Sequence, residues 1–104
     1  MFVIALTTLP DGHDAEAFGR TLVSEGLAAC VSALPPMRSV YRWQGTVEAA
    51  GERQLLIKTT AARLDELERR LTELHPYDVP EFIVLPISTG GAAYLEWLAA
   101  SSTA

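Results

Sequence analysis

The sequence predicts a single α+β domain of the ferredoxin-like, split βαβ type, in which helices cover one face of an antiparallel sheet. Strand and helix patterns alternate along the chain in the order βαββαβ, and one more helical pattern follows at the C-terminus. The chain has 104 residues, which is close to the commonest length of one domain. Hydrophobic residues make up 49% and charged residues 20%, so the chain can bury a core. We therefore expect one domain over residues 1–104.

The first βαβ unit is indicated by two apolar runs that flank a helical repeat. Residues 2–7 are β-branched, aromatic or apolar, which predicts a strand, and Asp11 is expected to cap the helix that follows it. Gly26 is placed to end this helix, because glycine readily adopts the left-handed conformation found there. Residues 27–34 predict the second strand. The helical spacing is that of Ala15, Phe18, Leu22 and Val23.

A hairpin is predicted next. Residues 37–43 form an extended segment, and Gln44-Gly45 is a turn signal between it and residues 46–48. Strand pairing should resume at residues 53–59, which are rich in apolar and β-branched side chains.

The second helix is the clearest feature of the sequence. One apolar stripe runs along it, and Pro76 prevents the helix from continuing beyond His75. Residues 81–87 predict the last strand, and Gly90-Gly91 precedes the C-terminal helix. The stripe consists of Leu64, Leu67, Leu71 and Leu74.

Charge and composition argue against several classes of partner. Thirteen acidic and eight basic residues give a formal charge of −5, which disfavours binding to nucleic acid or to anionic lipid. No stretch approaches the roughly 18 apolar residues that a membrane span needs, and the chain does not start like a signal peptide, so we expect a cytoplasmic protein. Cys30, the one cysteine, cannot form an internal disulfide, and its apolar context predicts a small buried hydrophobe rather than a metal-binding thiolate.

The predicted sheet has one face without helices. Tyr41 and Trp43 on the hairpin would lie bare on that face, and a large exposed apolar patch usually marks an interface. We therefore expect the chain to oligomerise through its sheet.

Several recognisable segments follow one another along the chain: residues 25–31, 39–45, 56–59, 75–81 and 85–87, with Tyr94-Leu95-Glu96-Trp97. In their order and spacing they resemble the CutA family of divalent-cation tolerance proteins along nearly the whole chain. The resemblance implies a ferredoxin-like protomer and a homotrimer whose sheets pack around a three-fold axis, similar to the PII signal proteins. It also implies a link to copper tolerance, and it identifies no reaction.

A set of polar and aromatic side chains is expected to line an inter-subunit cleft. Such a cleft would suit a small anionic or planar ligand. The alternative is that Trp43 and Trp97 are packing anchors of the interface and that Lys58 and Glu81 form an ion pair that fixes the trimer. The full set is Tyr41, Trp43, Lys58, His75, Tyr77, Glu81, Tyr94 and Trp97.

His75 is the candidate metal ligand. A neutral imidazole binds copper or zinc, and the alternative is a structural histidine at a helix C-terminus. Some relatives in the family carry a thiol and a second histidine where this chain has Thr7 and Leu74. No HxH, HxxxH or Cys-His spacing is present, so we expect any copper binding to be weak and to run mainly through His75.

No enzyme motif is present. The sequence lacks a nucleophile motif, and Gly90-Gly91 matches neither a P-loop nor a dinucleotide fingerprint. We therefore expect a non-enzymatic homotrimer that takes part in divalent-cation tolerance, requires no cofactor and binds copper or another divalent cation weakly, if at all. The second interpretation is a PII-like signalling or small-ligand binding trimer, and a small hydrolytic or transfer enzyme comes third.

Overall fold

The computed structural model describes residues 1–103 and confirms the predicted α+β class. Five strands form one antiparallel sheet, and a turn of 3-10 helix at Ala61–Arg63 precedes the second α-helix. The elements are β1 (Phe2–Pro10), α1 (Ala15–Ser24), β2 (Cys30–Ala33), β3 (Met37–Trp43), β4 (Thr46–Thr60), α2 (Leu64–Leu74), β5 (Ile83–Pro86) and α3 (Ala92–Ser101).

β4 is the central strand of the molecule. It is one continuous strand of 15 residues, where the sequence suggested two separate segments. Its second half, from Glu52 to Thr60, pairs with β1 on one side, and residues 55–58 pair with β2 on the other. Residues 46–51 pair with β3 alone, from Trp43 opposite Thr46 to Arg38 opposite Gly51, and Glu52 lies between Met37 of β3 and Pro10 of β1. β5 pairs with the outer edge of β1, so the strand order is β2-β4-β1-β5.

The core lies between one face of the sheet and helices α1 and α2. Alternate residues of β1 and β4 point to this face, because successive side chains of a strand lie on opposite sides. Leu67 and Leu71 of the predicted leucine stripe are fully buried, and Leu64 and Leu74 pack at the edge of the cluster. The other core residues are Ala5, Leu9, Ala15, Phe18, Leu22, Leu27, Ala28, Leu55 and Ile57.

The ends of α1 show one correct and one wrong prediction. Gly26 ends the helix as expected: its φ is +72°, its N–H donates to the Val23 carbonyl, and the Leu27 N–H donates to the Leu22 carbonyl. Asp11, however, is not the cap. β1 runs on to Pro10, so Asp11 falls in the turn, and the side chain of Asp14 instead accepts from the Ala17 N–H at 3.0 Å.

β3 and residues 46–51 of β4 form a two-stranded extension of the sheet, which we call the arm. A two-residue turn closes it at Gln44-Gly45, where φ is +50° and +80°, as in the type I′ turns that suit hairpins. β1 ends opposite Glu52 and leaves residues 46–50 without a strand on their other edge within the described chain. Val40 and Val47 are 71% and 61% exposed on the arm.

The face of the sheet opposite α1 and α2, which we call the open face, is only partly covered. α3 lies on it at one end, where Leu98 is fully buried, and the loop before β5 lies at the other end. Between them, Leu85 pairs with Ile4, and Ile83 pairs with Leu6. Ile83, Leu85, Tyr94 and Trp97 all remain 45–49% exposed. No helix of the described residues is long and apolar enough to cross a membrane.

Candidate ligand-binding cavity

An open cavity of about 730 Å³ lies where the arm leaves the sheet. Its floor is the open face, one wall is β3, and the other wall is the loop that follows α2. Ser39, Tyr41 and Trp43 face it because they alternate with Arg38, Val40 and Arg42 along the strand. The lining residues are Thr8, Met37, Ser39, Tyr41, Trp43, Glu52, Gln54 and residues 76–81.

Four of the eight predicted site residues meet at this cavity. Tyr41, Trp43, Tyr77 and Glu81 line it together. His75 lies behind the wall, with its ring centroid 5.0 Å from that of Tyr77.

The other three predicted site residues form a separate cluster at the α3 end of the open face. The Nζ atom of Lys58 lies 3.4 Å from the Tyr94 hydroxyl and 5.6 Å from the centre of its ring. The ring of Trp97 packs 5.4 Å from that of Tyr94. Within the single chain, the predicted set is therefore divided between two places. Lys58 and Glu81 form no ion pair within one protomer, where Glu81 accepts from Gln54, and the alternative of a Lys58–Glu81 pair that fixes the trimer stays a prediction about contacts between protomers.

Glu52 is the cavity residue that the sequence did not reveal. It is only 6% exposed, and its Oε2 accepts a hydrogen bond of 2.7 Å from the Tyr77 hydroxyl. Burial raises the pKa of Tyr77, and the hydrogen bond to Glu52 raises it further, so the phenol keeps its proton. A signal was present in the sequence: Glu52 is one residue before the pairing segment that was expected to begin at Arg53.

A second hydrogen bond holds Glu81. The side-chain amide of Gln54 donates both to Glu81 Oε2 at 2.8 Å and to the Thr7 carbonyl at 2.9 Å. Glu81 is thereby fixed to the floor of the cavity, although it belongs to the loop before β5. Both glutamates are thus held in place by hydrogen bonds from within the chain.

His75 is a structural residue in this geometry. Its Nε2–H donates to the Thr8 carbonyl at 2.7 Å, and its Nδ1 accepts from the Tyr77 N–H at 3.1 Å. The side chain is 8% exposed, and burial lowers the pKa of His75 while the bond to Thr8 opposes that shift. The ring is therefore neutral and connects β1 to the cavity wall.

The predicted metal site does not fit this arrangement. A histidine binds a metal through an unprotonated ring nitrogen, and the only one on His75 already accepts a backbone hydrogen bond. Cys30 is half-buried, with its Sγ 3.7 Å from the Ser32 hydroxyl. Among residues 1–103, no group of three histidine, cysteine, aspartate or glutamate side chains is placed to hold a metal ion.

Comparison with known proteins identifies the family. Residues 3–101 match the model of the CutA1 divalent ion tolerance proteins. The chain belongs to the CutA1 family. A CutA1 relative, the divalent-cation tolerance protein CutA of Thermus thermophilus, is 45% identical over 95 residues, which is 91% of this chain and 92% of the relative.

Solved CutA1 structures have the same fold. The divalent cation tolerance protein (Cut A1) from Thermus thermophilus superposes with a TM-score of 0.94 at 43% identity, over 99% of this chain and all of that one. A protein described as the PII-like protein CutA from Nostoc sp. PCC 7120, in its apo form, superposes with a TM-score of 0.89 at 35% identity, over 97% of each chain. The ferredoxin-like, PII-like fold expected from the sequence is therefore confirmed.

Proposed function

We propose that this CutA1-family chain acts in divalent-cation tolerance as a cytoplasmic homotrimer that carries out no reaction of its own. One observation carries the proposal: the open face keeps four large apolar side chains nearly half exposed on one protomer. Ile83 and Leu85 on β5 and Tyr94 and Trp97 on α3 form this surface. Large apolar side chains exposed on one face of a sheet are typical of a protein–protein interface.

The arm supports the same proposal. An isolated two-stranded hairpin is marginally stable in water, and a strand with an unpaired edge invites pairing with another chain. Residues 46–50 have such an edge, and Val40 and Val47 on the arm are largely exposed. A second copy of the chain would cover both the edge and the apolar side chains. A closed ring of three copies leaves no open face uncovered.

The donor atoms of the single chain favour a tolerance role without a resident metal. The free lone pair of the His75 ring already accepts a hydrogen bond, and within residues 1–103 no three histidine, cysteine, aspartate or glutamate side chains are grouped to hold a metal ion. We therefore propose that no metal cofactor is required and that any direct copper binding is weak.

A PII-like, small-ligand binding trimer is the second candidate function. The cavity beside the arm favours it, because a volume of about 730 Å³ is in the range of small-molecule sites. The Nostoc protein that superposes on this chain is itself described as PII-like.

Light scattering at micromolar concentration tests the assembly. We expect the mass of a trimer for the unmodified protein. Leu85→Glu should dissociate it, because the substitution places a charge within the apolar open face. Val23→Glu is the matched control, since Val23 is 39% exposed on α1, on the opposite side of the sheet, and Leu85 is 45% exposed. A monomeric unmodified protein would refute the proposal.

Growth on copper tests the cellular role. Cells that lack the gene should be more sensitive to copper, and the unmodified gene and Val23→Glu should restore growth while Leu85→Glu should not. If all three genes restored growth on copper equally, copper tolerance would not depend on the trimer. Fractionation of the same cells tests the cytoplasmic location.

A further inference from the structure

We propose that His75 is a proton-dependent latch: its neutral ring holds the loop of residues 76–81 on the sheet, and its protonation releases that loop while the sheet stays paired. The loop leads from α2 towards β5. The proposal goes beyond tolerance and assembly, because every contact that forms the latch lies within one protomer. It therefore does not depend on what covers the open face.

The loop is attached to the rest of the protomer through side chains. Within residues 1–103, no backbone–backbone hydrogen bond involves residues 76–81. Pro76 and Pro80 have no N–H group, so two of its residues cannot donate such a bond. Phe82, which packs against the core, marks the far end of the loop. The side-chain hydrogen bonds of the loop are those from the Tyr77 N–H to His75, from the Tyr77 hydroxyl to Glu52 and from Gln54 to Glu81.

The ring of His75 forms a hydrogen bond on each side. Its Nε2–H donates to the Thr8 carbonyl at 2.7 Å, and its Nδ1 accepts from the Tyr77 N–H at 3.1 Å. Only the neutral ring can do both, because a protonated imidazole carries a hydrogen on each nitrogen and accepts on neither. In the protonated ring, the Nδ1–H and the Tyr77 N–H would point at each other. Protonation therefore keeps the bond to β1 and breaks the bond to the loop.

The groups that face the ring keep it neutral at pH 7. Phe18 on α1 packs edge-on against it, with the ring centroids 6.0 Å apart, and burial lowers the pKa of His75. The charge of His13, which precedes α1, lowers this pKa further, whereas the Thr8 carbonyl and the Glu52 carboxylate on β4 raise it. The net effect is a lowered pKa, so the ring takes up its proton only below about pH 6.5. The titratable groups that face the ring are His13, Glu52 and Tyr77.

Loss of the bond to His75 leaves the loop weakly held. The backbone of Tyr77 is then no longer fixed, so its hydroxyl is no longer oriented towards Glu52. The bond between Gln54 and Glu81 is the remaining one of the three. A segment held by so few contacts opens at a lower free energy than a paired sheet, so the loop can be released while the sheet remains folded.

Nuclear magnetic resonance of the isotope-labelled protein between pH 8 and pH 5 tests the proposal. We expect the Tyr77 amide resonance to move with the same midpoint as the His75 ring resonance. The protection of this amide against hydrogen exchange, relative to the intrinsic rate at each pH, should fall about tenfold or more. The amides of Ala5 and Ile57, paired at the centre of the sheet, should stay protected. A Tyr77 amide that does not follow His75, or a loss of protection at all three amides together, would overturn the proposal.

Variants identify the histidine that is responsible, although the comparison of resonances in the unmodified protein needs none. His75→Gln takes up no proton, so the Tyr77 amide should become independent of pH over this range. His13→Gln is the matched control, because it removes the only other histidine of the chain. Its transition should remain, at the same or a slightly higher pH, since His13 opposes protonation of His75. A transition that persists in His75→Gln, or that disappears in His13→Gln, would refute the latch.

Light scattering on the same samples separates the latch from the assembly. A change at the Tyr77 amide while the mass stays constant supports the latch. A change in mass that precedes or replaces the change at Tyr77 refutes it. A monomer at every pH that still shows the change at Tyr77 refutes the trimer alone.

Discussion

Two threonines on the buried face of the sheet provide a matched test of how a buried hydroxyl affects stability. Thr7 on β1 and Thr59 on β4 are both fully buried. The Thr59 hydroxyl donates to the Leu27 carbonyl at 2.8 Å, whereas the Thr7 hydroxyl has no hydrogen-bond partner within residues 1–103. The same change to valine should therefore have opposite effects at the two positions.

The magnitudes follow from the two environments. A buried, unpaired hydroxyl costs about 1–3 kcal/mol, and a methyl group in its place gains about 0.8 kcal/mol from burial less a small packing cost. Thr7→Val should thus raise the free energy of unfolding by about 2–3 kcal/mol. Thr59→Val loses a hydrogen bond of about 1 kcal/mol and leaves the buried Leu27 carbonyl unpaired, so it should lower the free energy of unfolding by about 1–2 kcal/mol.

Urea unfolding at one fixed protein concentration measures both changes, since an assembling protein gains apparent stability with concentration. The midpoints should move in opposite directions with little change in slope. If both variants lowered the free energy of unfolding by similar amounts, the reasoning would be refuted, because the Thr7 hydroxyl would then have a hydrogen-bond partner in the folded protein.

Further predictions concern individual contacts. Folding lowers the pKa of His75, so the stability that its neutral ring supports should be complete above about pH 6.5 and be lost as the pH falls through the folded pKa. Urea unfolding midpoints measured at pH 8 and pH 5 check this. If the midpoint of His75→Gln fell between these two pH values as much as that of the unmodified protein, the prediction would be contradicted. Copper(II) titrated at pH 7 should give the same affinity for the unmodified protein and His75→Gln, and a weaker variant would restore His75 as a ligand. Gln44→Asn should stabilise the arm by about 0.5 kcal/mol in thermal unfolding, because asparagine tolerates a positive φ better. Gly19→Ala should destabilise by about 1 kcal/mol, since a Cβ there would lie 3.0 Å from Val31, and the loss should shrink in a Val31→Ala background.

Local signals predicted most of the fold correctly. The leucine stripe of α2, Gly26 after α1 and the Gln44-Gly45 turn each require a particular residue type at a particular place, so each can be identified from the sequence. The capping residue of α1 was wrong because it depends on where β1 ends, and that end is set by pairing with β4, which lies some 40 residues further along the chain.

Within one protomer the predicted site residues do not all meet, and the continuity of β4 is the reason. Lys58 and Glu52 are six residues apart on β4, and a strand rises about 3.3 Å per residue, so the two side chains are separated by about 20 Å along it. The sequence analysis groups Lys58 with Tyr41 and Trp43 at a subunit boundary, and within one protomer this separation keeps Lys58 away from the cavity that they line. Residue types near the cavity can be recognised in the sequence, whereas the continuity of one strand determines which of them meet.

The central position of β4 also determines when the sheet can form. β1, β2 and β3 all pair with β4, and β5 pairs only with β1. During synthesis at about 5–20 residues per second, β1 and β2 therefore wait for seconds without a partner, because Phe2 pairs with Thr60. Only the β3–β4 hairpin is local, so it is the one ladder that can form early, and the long-range pairings with β1 should limit the folding rate. A nascent chain that stalls before Thr60 would leave the apolar side chains of β1 uncovered and available to chaperones or to aggregation.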